Sequence, residues 1–127
     1  MTILDSNIWI ALLNEDDSQN ARAQEVVGKI RGAIILPEYA VIEIATIILQ
    51  KVGKARLDRF LDQIDNTPDL YVLPSDPAFF YSVRRQLRLS GERSLSFIDT
   101  ALLLLSKSYT VVTFDRDLAK AIKNQHP

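Results

Sequence analysis

Met1-Thr2-Ile3-Leu4-Asp5-Ser6-Asn7 is the stretch whose reading decides the fold. Thr2, Ile3 and Leu4 predict a short strand too apolar for a surface, and so a strand inside a sheet. Asp5 follows at its carboxyl end, and Ser6-Asn7 leads into a helix predicted for Ile8 to Leu13. In open α/β sheets, function gathers beyond the carboxyl ends of the strands, where the strand order reverses. A carboxylate in that position is a candidate functional group, and acids that converge on it from elsewhere in the chain gain the same interest.

Outward from this stretch, strands and helices alternate. Asn14 to Ser18 is polar and turn-rich, and Asp17 or Ser18 is placed to cap a helix running to about Ile30. The acids Glu15, Asp16 and Asp17 read as a solvated loop favouring that helix N-terminus rather than as a metal site. Gly32 ends the helix, Ala33 to Leu36 predicts a second strand, and Pro37 suits the first turn of a third helix reaching about Val52. That helix is apolar nearly all round, with Gly53 as its terminator and Glu43 in its middle. An ionised carboxylate there costs several kcal/mol of desolvation, on the order of the penalty for any buried ion, unless a cation meets it. Glu43 reads either as one half of a salt bridge or as a member of a site.

Lys54 to Asn66 predicts an amphipathic helix with Leu57, Phe60, Leu61 and Ile64 inward, and Leu70 to Leu73 a third strand. Asp76-Pro77 opens a fifth helix with Phe79, Phe80, Val83 and Leu87 inward, up to Gly91. Arg84, Arg85 and Arg88 occupy its other side and Arg93 lies just beyond, a row that reads either as a solvated face or as phosphate contacts. Ser94 is placed to cap a sixth helix, Leu95 to about Lys107, in which Asp99 is the only charge before Lys107. Asp is a poor helix former and expensive to bury, and a local rule broken in this way points to function. Thr110 to Phe114 predicts a fourth strand, again followed at once by acids, Asp115 and Asp117, with a last helix beyond. One of these two aspartates is enough to cap that helix.

Composition narrows the chemistry. The 127 residues form one domain large enough to bury a core, and 47% hydrophobic with 24% charged residues is a globular balance. The absence of cysteine excludes disulfides, thiolate zinc sites and cysteine nucleophiles. The only histidine, His126, stands beside the end of the sequence, which argues against a Ser-His-Asp triad. No Gly-x-Gly-x-x-Gly follows the first strand and no Gly-Lys-Ser/Thr loop occurs. A haloacid-dehalogenase-type phosphatase would want a second acid where Asn7 stands, and a receiver domain an aspartate where Pro74 ends the third strand. No signal-like segment opens the sequence and no apolar run approaches the ~20 residues that span a bilayer, so a cytoplasmic protein without a membrane partner is expected. A net charge of −1 means that any nucleic acid must be held by a local basic face or through metal ions.

The alternation of elements predicts an α/β fold of three layers, α/β/α, with a short, mostly parallel sheet of four or five strands. Asp5, Glu43, Asp99 and Asp115 are then candidates to meet at one edge. Four crowded carboxylates repel, and some stay protonated, unless a divalent cation lies among them. An oxygen-only donor set suits Mg²⁺ or Mn²⁺ better than zinc, and one or two such ions support phosphodiester hydrolysis by activating a water.

The residues Ile3-Leu4-Asp5-Ser6-Asn7, Glu43 after Pro37, Leu95-Ser96-Phe97-Ile98-Asp99-Thr100-Ala101 and Val111-Val112-Thr113-Phe114-Asp115-Arg116-Asp117-Leu118 resemble, in order and spacing, the PIN-domain ribonucleases, specifically the VapC-type toxins of toxin–antitoxin pairs. The resemblance covers nearly the whole chain and implies a single PIN-like domain, residues 1–127, with Mg²⁺- or Mn²⁺-dependent endoribonuclease activity. It matches Asp5, Glu43 and Asp99 to metal-holding acids and Asp115 to the fourth, with Asp117 as the reserve. Ser6, Asn7 and Thr113 match polar residues that support the ligands or the water. It further implies a homodimer and a small antitoxin that covers the acidic cleft; Trp9, Tyr39 and the helix from Lys54 read either as a surface for such a partner or as core and ordinary surface. The departure is Asp117-Leu118 where Asp-Phe is commoner. A different class of function, a non-catalytic PIN-like module that binds RNA or protein, would be signalled by loss of the acids, and all four are present.

Overall fold

The computed structural model describes residues 1–91 and 95–125. Among them, four strands form one parallel sheet, flanked by seven helices: β1 (Thr2–Leu4), α1 (Ser6–Leu13), α2 (Asn20–Gly28), β2 (Ile34–Pro37), α3 (Glu38–Lys51), α4 (Lys54–Asn66), β3 (Leu70–Leu73), α5 (Pro77–Leu89), α6 (Phe97–Leu105), β4 (Thr110–Val112) and α7 (Arg116–Gln125). The strand order is β3-β2-β1-β4, with every pairing parallel. The three-layer α/β/α architecture expected from the sequence is present, and its sheet is four-stranded and wholly parallel.

Alternation along the strands builds two cores. Leu4 and Leu36 face one side, where they pack with Ile8, Trp9, Ala23, Ile44, Ile48 and Phe60 from α1 to α4. Ile3 and Ile35 face the other, against Leu102, Leu105 and Leu118, with Phe79 of α5 packed alongside. Successive strand residues point to opposite faces, so a strand covered on both sides must be apolar at every position, as Ile3-Leu4 and Ile35-Leu36 are. Each such side chain, fully buried, contributes about 1.5–3 kcal/mol. Trp9 and Phe60 meet in a T-shaped contact, 5.6 Å between ring centroids, which ties α1 to α4.

Several boundaries differ from expectation, each for a local reason. Helix α2 begins at Asn20, not after Asp17 or Ser18, and has no side-chain cap. Asp17 instead accepts a hydrogen bond from the Gln19 N–H at 2.8 Å, which turns the chain once more before the helix starts; α2 closes at Gly28, short of Ile30. Pro37 ends β2, paired with Leu73, and stands at the N-cap of α3 rather than in its first turn. Helix α3 is not apolar all round in its packing, since Ile42 and Leu49 are exposed. Gly53 takes φ +122° between α3 and α4, a conformation that disfavours a side chain. Phe80 lies outward on α5, 47% exposed, where the amphipathic pattern placed it inward.

Helix α6 is capped by Ser96, whose Oγ accepts the Asp99 N–H at 3.1 Å; Ser94 lies outside the described residues. It ends at Leu105 with Ser106 as C-cap, two residues before Lys107. Strand β4 stops at Val112, and Thr113 and Phe114 form the bend beyond it. Trp9 is buried and the body of Tyr39 packs between the two cores, so both are structural before they are surface. No helix among the described residues is long and apolar enough to cross a membrane.

Candidate active site

Strand β1 has β2 on one side and β4 on the other, while the chain leaves it toward β2 through α1 and α2. The gap between the carboxyl ends of β1 and β4 is therefore the point where the chain departs in opposite directions, the place where a crevice opens in such sheets. Asp5 ends β1 there. Its backbone N–H donates to the Val112 carbonyl at 2.9 Å, continuing the ladder to β4.

The Asp5 carboxylate is 6% exposed and held by donors from three directions. The Ser6 N–H donates to Oδ1 at 2.7 Å. The Thr113 hydroxyl donates to Oδ2 at 2.6 Å and the Asn7 amide to the same oxygen at 3.3 Å. Asn7 also donates to Thr113 Oγ1 at 3.3 Å, and its Oδ1 accepts the Phe114 N–H at 3.3 Å. The Asp115 N–H donates to Thr113 Oγ1 at 3.0 Å. Residues 5, 7, 113 and 115 thus form one hydrogen-bonded corner across the two strand ends, which orients Asp5 before anything binds.

Three further acids line the same open cleft of about 240 Å³: Glu43 from the second turn of α3, Asp99 from the first turn of α6, and Asp115 from the N-cap of α7. Ser6, Asn7, Ile10, Ile47, Ser96 and Ile98 complete its walls. Asp115 also caps α7, accepting the Asp117 and Leu118 N–H groups at 2.9 and 3.1 Å through Oδ1. One carboxylate thus performs the capping and lines the cleft. Asp117 is exposed in the first turn of α7 and does not line the cleft.

The electrostatics are unbalanced. Among the described residues the ion pairs are Lys29–Glu25, Lys54–Asp58 and Arg56–Glu15, and none involves the four acids of the cleft. Burial pushes the Asp5 carboxyl above its ordinary value of 3.8; the hydrogen bonds from Thr113 and Ser6 pull it back, and the charges of Asp99 and Glu43 push it up again. Burial likewise raises Asp99, offset by Ser96 and reinforced by Asp115 and Glu43. Burial, and then the charges of Asp5, Glu43 and Asp99, raise the Tyr39 hydroxyl, which keeps its proton and has no hydrogen-bond partner among the described residues.

A set of carboxylates without a basic partner among the described residues, offering only oxygen donors, suits a hard divalent cation. The cleft is open rather than a closed ligand shell: among the described residues no three acidic or imidazole side chains stand close enough together to hold an ion. The donor set fits by its all-oxygen chemistry and its shared cleft.

Of the basic row, Arg84, Arg85 and Arg88 are exposed on α5, and none makes an ion pair with a described residue. Arg93 lies outside the described residues. Sequence reasoning missed Ser96 as a cleft residue and cap, although Ser96-x-x-Asp99 carries the spacing of a capping box. Arg22 was also missed; its guanidinium stacks 4.3 Å over the Phe114 ring beside the corner, a contact between α2 and the bend after β4 that no local pattern announces.

Comparison with known proteins bears on the family and the fold. The family profile described as "PIN domain" matches residues 2–124. A search of curated proteins returned no match. Among solved structures, the Mycobacterium tuberculosis toxin VapC20, a sarcin–ricin-loop cleaving toxin, superposes with a TM-score of 0.84 at 19% identity, covering 95% of each chain. FitAcB from Neisseria gonorrhoeae superposes with a TM-score of 0.69 at 19% identity, covering 97% of this chain and 94% of that one. At these identities the likeness is one of fold.

Proposed function

The chain belongs to the PIN domain family, and on that premise we propose that it is a divalent-metal-dependent endoribonuclease, the toxin component of a VapBC-type toxin–antitoxin pair. One observation carries the reading: Asp5, Glu43, Asp99 and Asp115, from four separate segments, line a single cleft at the ends of β1 and β4, and none of them is ion-paired among the described residues. The fold shared with VapC20, a toxin described as cleaving the sarcin–ricin loop, supports the toxin assignment.

In this reading Asp5, Glu43, Asp99 and Asp115 would hold one or two Mg²⁺ or Mn²⁺ ions, and Asp115 rather than Asp117, which lies outside the cleft, is the fourth acid. When bound, such an ion supplies the acidification of the attacking water and the positive charge that the scissile phosphate needs. The protein's own part is orientation. Thr113, Asn7 and Ser6 hold the Asp5 carboxylate in one pose, and Ser96 fixes the first turn of α6 and so the direction of Asp99. Arg84, Arg85, Arg88 and Arg93 supply a cationic approach for RNA in a chain whose net charge is −1. A small antitoxin covering the cleft, a homodimer and a cytoplasmic location belong to the same proposal, as does the extent of the domain, residues 1–127.

The openness of the cleft favours one competing reading, a module that binds RNA or protein without cutting. Incubation of purified protein with tRNA, rRNA and mRNA panels in Mg²⁺, Mn²⁺ and EDTA separates the two. Cleavage that EDTA abolishes supports the nuclease. Absence of both cleavage and calorimetric metal binding supports the module.

A further inference from the structure

Helix α2 places a cation at the rim of the acidic cleft without pairing it with any of the acids. The Arg22 guanidinium lies 4.3 Å from the centre of the Phe114 ring. Phe114 stands between Thr113 and Asp115, and its N–H donates to Asn7 Oδ1 at 3.3 Å. Asn7 and Asp115 line the cleft, and the Asn7 amide donates to the Asp5 carboxylate. The Phe114 ring therefore marks the side of the cleft where the bend after β4 passes. Arg22 is exposed and makes no ion pair with a described residue. Its place is nevertheless fixed. Two residues earlier, the Asn20 amide donates to the Ala11 carbonyl at 2.7 Å, which pins the start of α2 to the end region of α1.

We propose that Arg22, held over Phe114, grips an RNA phosphate adjoining the one in the acidic cleft and so sets where the chain lies on the site. The proposal deepens the ribonuclease reading and rests on it for the identity of the ligand. A purely structural clasp explains the contact less well. An exposed cation–π contact is weak, and Asn20 already docks α2, so the stack adds little to the fold. What it does is order a long side chain that otherwise samples many rotamers, so less entropy is lost when the guanidinium meets a ligand. The aromatic ring offers no lone pair, which leaves the N–H fork for an acceptor, and that fork matches two oxygens of a phosphate. The acids of the cleft are not that acceptor, since none is ion-paired with Arg22, and the cation does not compete with a metal ion for them. An RNA backbone carries a phosphate on each side of the one being cut. A phosphate therefore arrives at the rim whenever another lies in the cleft.

The test is fluorescence anisotropy with a labelled, unstructured RNA oligonucleotide in EDTA, where no cleavage competes, over a series of KCl concentrations. Arg22→Gln removes the charge and the fork. Arg31→Gln is the control, since it removes the same charge from an exposed position before β2, at the opposite end of the sheet from the cleft. Relative to that control, Arg22→Gln should bind about tenfold more weakly, the scale of one hydrogen bond to a charged group. It should also flatten the slope of log affinity against log salt by about 0.7, the share of one phosphate contact on a single strand. Arg22→Lys should keep the slope and lose part of the affinity. Phe114→Leu, which keeps the guanidinium and removes the ring beneath it, should weaken binding at an unchanged slope; circular dichroism checks that each variant folds. In cleavage with Mg²⁺, the loss in Arg22→Gln should fall on KM rather than kcat. Equal affinity and slope in Arg22→Gln and Arg31→Gln overturns the proposal, as does a wild type that fails to bind the oligonucleotide. A fall in kcat at constant KM also overturns it and assigns the stack to holding Asp115 in place. Because binding is read without metal, a failed Arg22 contact with intact metal-dependent cleavage leaves the nuclease standing, and the reverse result leaves the phosphate contact standing.

Discussion

The Thr113 hydroxyl, one residue past β4, donates a 2.6 Å hydrogen bond to Oδ2 of Asp5, one residue past β1. This bond joins the two strand ends between which the cleft opens, and it fixes the carboxylate that stands deepest in it. Thr113 Oγ1 in turn accepts the Asp115 N–H, so one side chain positions two of the four acids. Thr113→Val should lose a hydrogen bond to a charged group, a cost of about 1.5–3 kcal/mol, and reduce RNA cleavage with it. Urea unfolding checks the first and a cleavage assay the second. Thr113→Ser, which keeps the hydroxyl, should recover most of both.

Asp99 is held in a first helical turn against its charged neighbours, and its carboxyl is raised from 3.8 by burial and then by Asp115 and Glu43. A carboxyl with a raised folded value binds its proton more tightly when folded, so its stabilising contribution is complete below about pH 3.8. That contribution is lost as pH rises through the folded value. Asn mimics the protonated form. In EDTA, Asp99→Asn should match wild type in Tm near pH 4 and exceed it increasingly toward pH 7. Thermal unfolding across that range measures it; a variant less stable at pH 7 would contradict it.

The positions of the four acids also predict how the ion and the fold are linked. A ligand that binds only the folded chain stabilises it by about 2.7 kcal/mol at one hundred times its Kd. Mn²⁺ should therefore raise the Tm of wild type at neutral pH and raise that of Asp99→Asn far less. Differential scanning fluorimetry with and without Mn²⁺ reads both. An equal rise in the two proteins would place the ion elsewhere.

Phe60, fully buried against Trp9, joins α4 to the core that backs β1. Phe60→Ala should cost about 3–5 kcal/mol through lost burial and a cavity, read by urea unfolding.

Much of this was legible in the sequence because each key signal was a conflict or a sharp boundary. Thr2-Ile3-Leu4 ended in Asp5, and Val111-Val112 was soon followed by Asp115, so the strand ends and their acids could be located together. Asp99 in Phe97–Leu105 and Glu43 in Glu38–Lys51 broke the apolar pattern of their helices. What stayed hidden depended on tertiary packing. Phe80 has the spacing of an inward residue, but α6 meets α5 so that Phe80 stacks on Phe97 at the surface instead. The caps were misplaced where two serines compete, Ser94 and Ser96, and where Asp17 spends its side chain on a turn. Exposure of Ile42 and Leu49 on an almost wholly apolar helix could not be read from periodicity, because every face of that helix looks alike.

The most direct test of the central claim is cleavage of a labelled RNA panel by wild type and Asp99→Asn side by side in Mg²⁺. The account predicts cleavage by wild type that EDTA abolishes, and loss of at least about a hundredfold in the variant, the scale on which removing a group that stabilises the transition state acts. Cleavage by Asp99→Asn at the wild-type rate would contradict it.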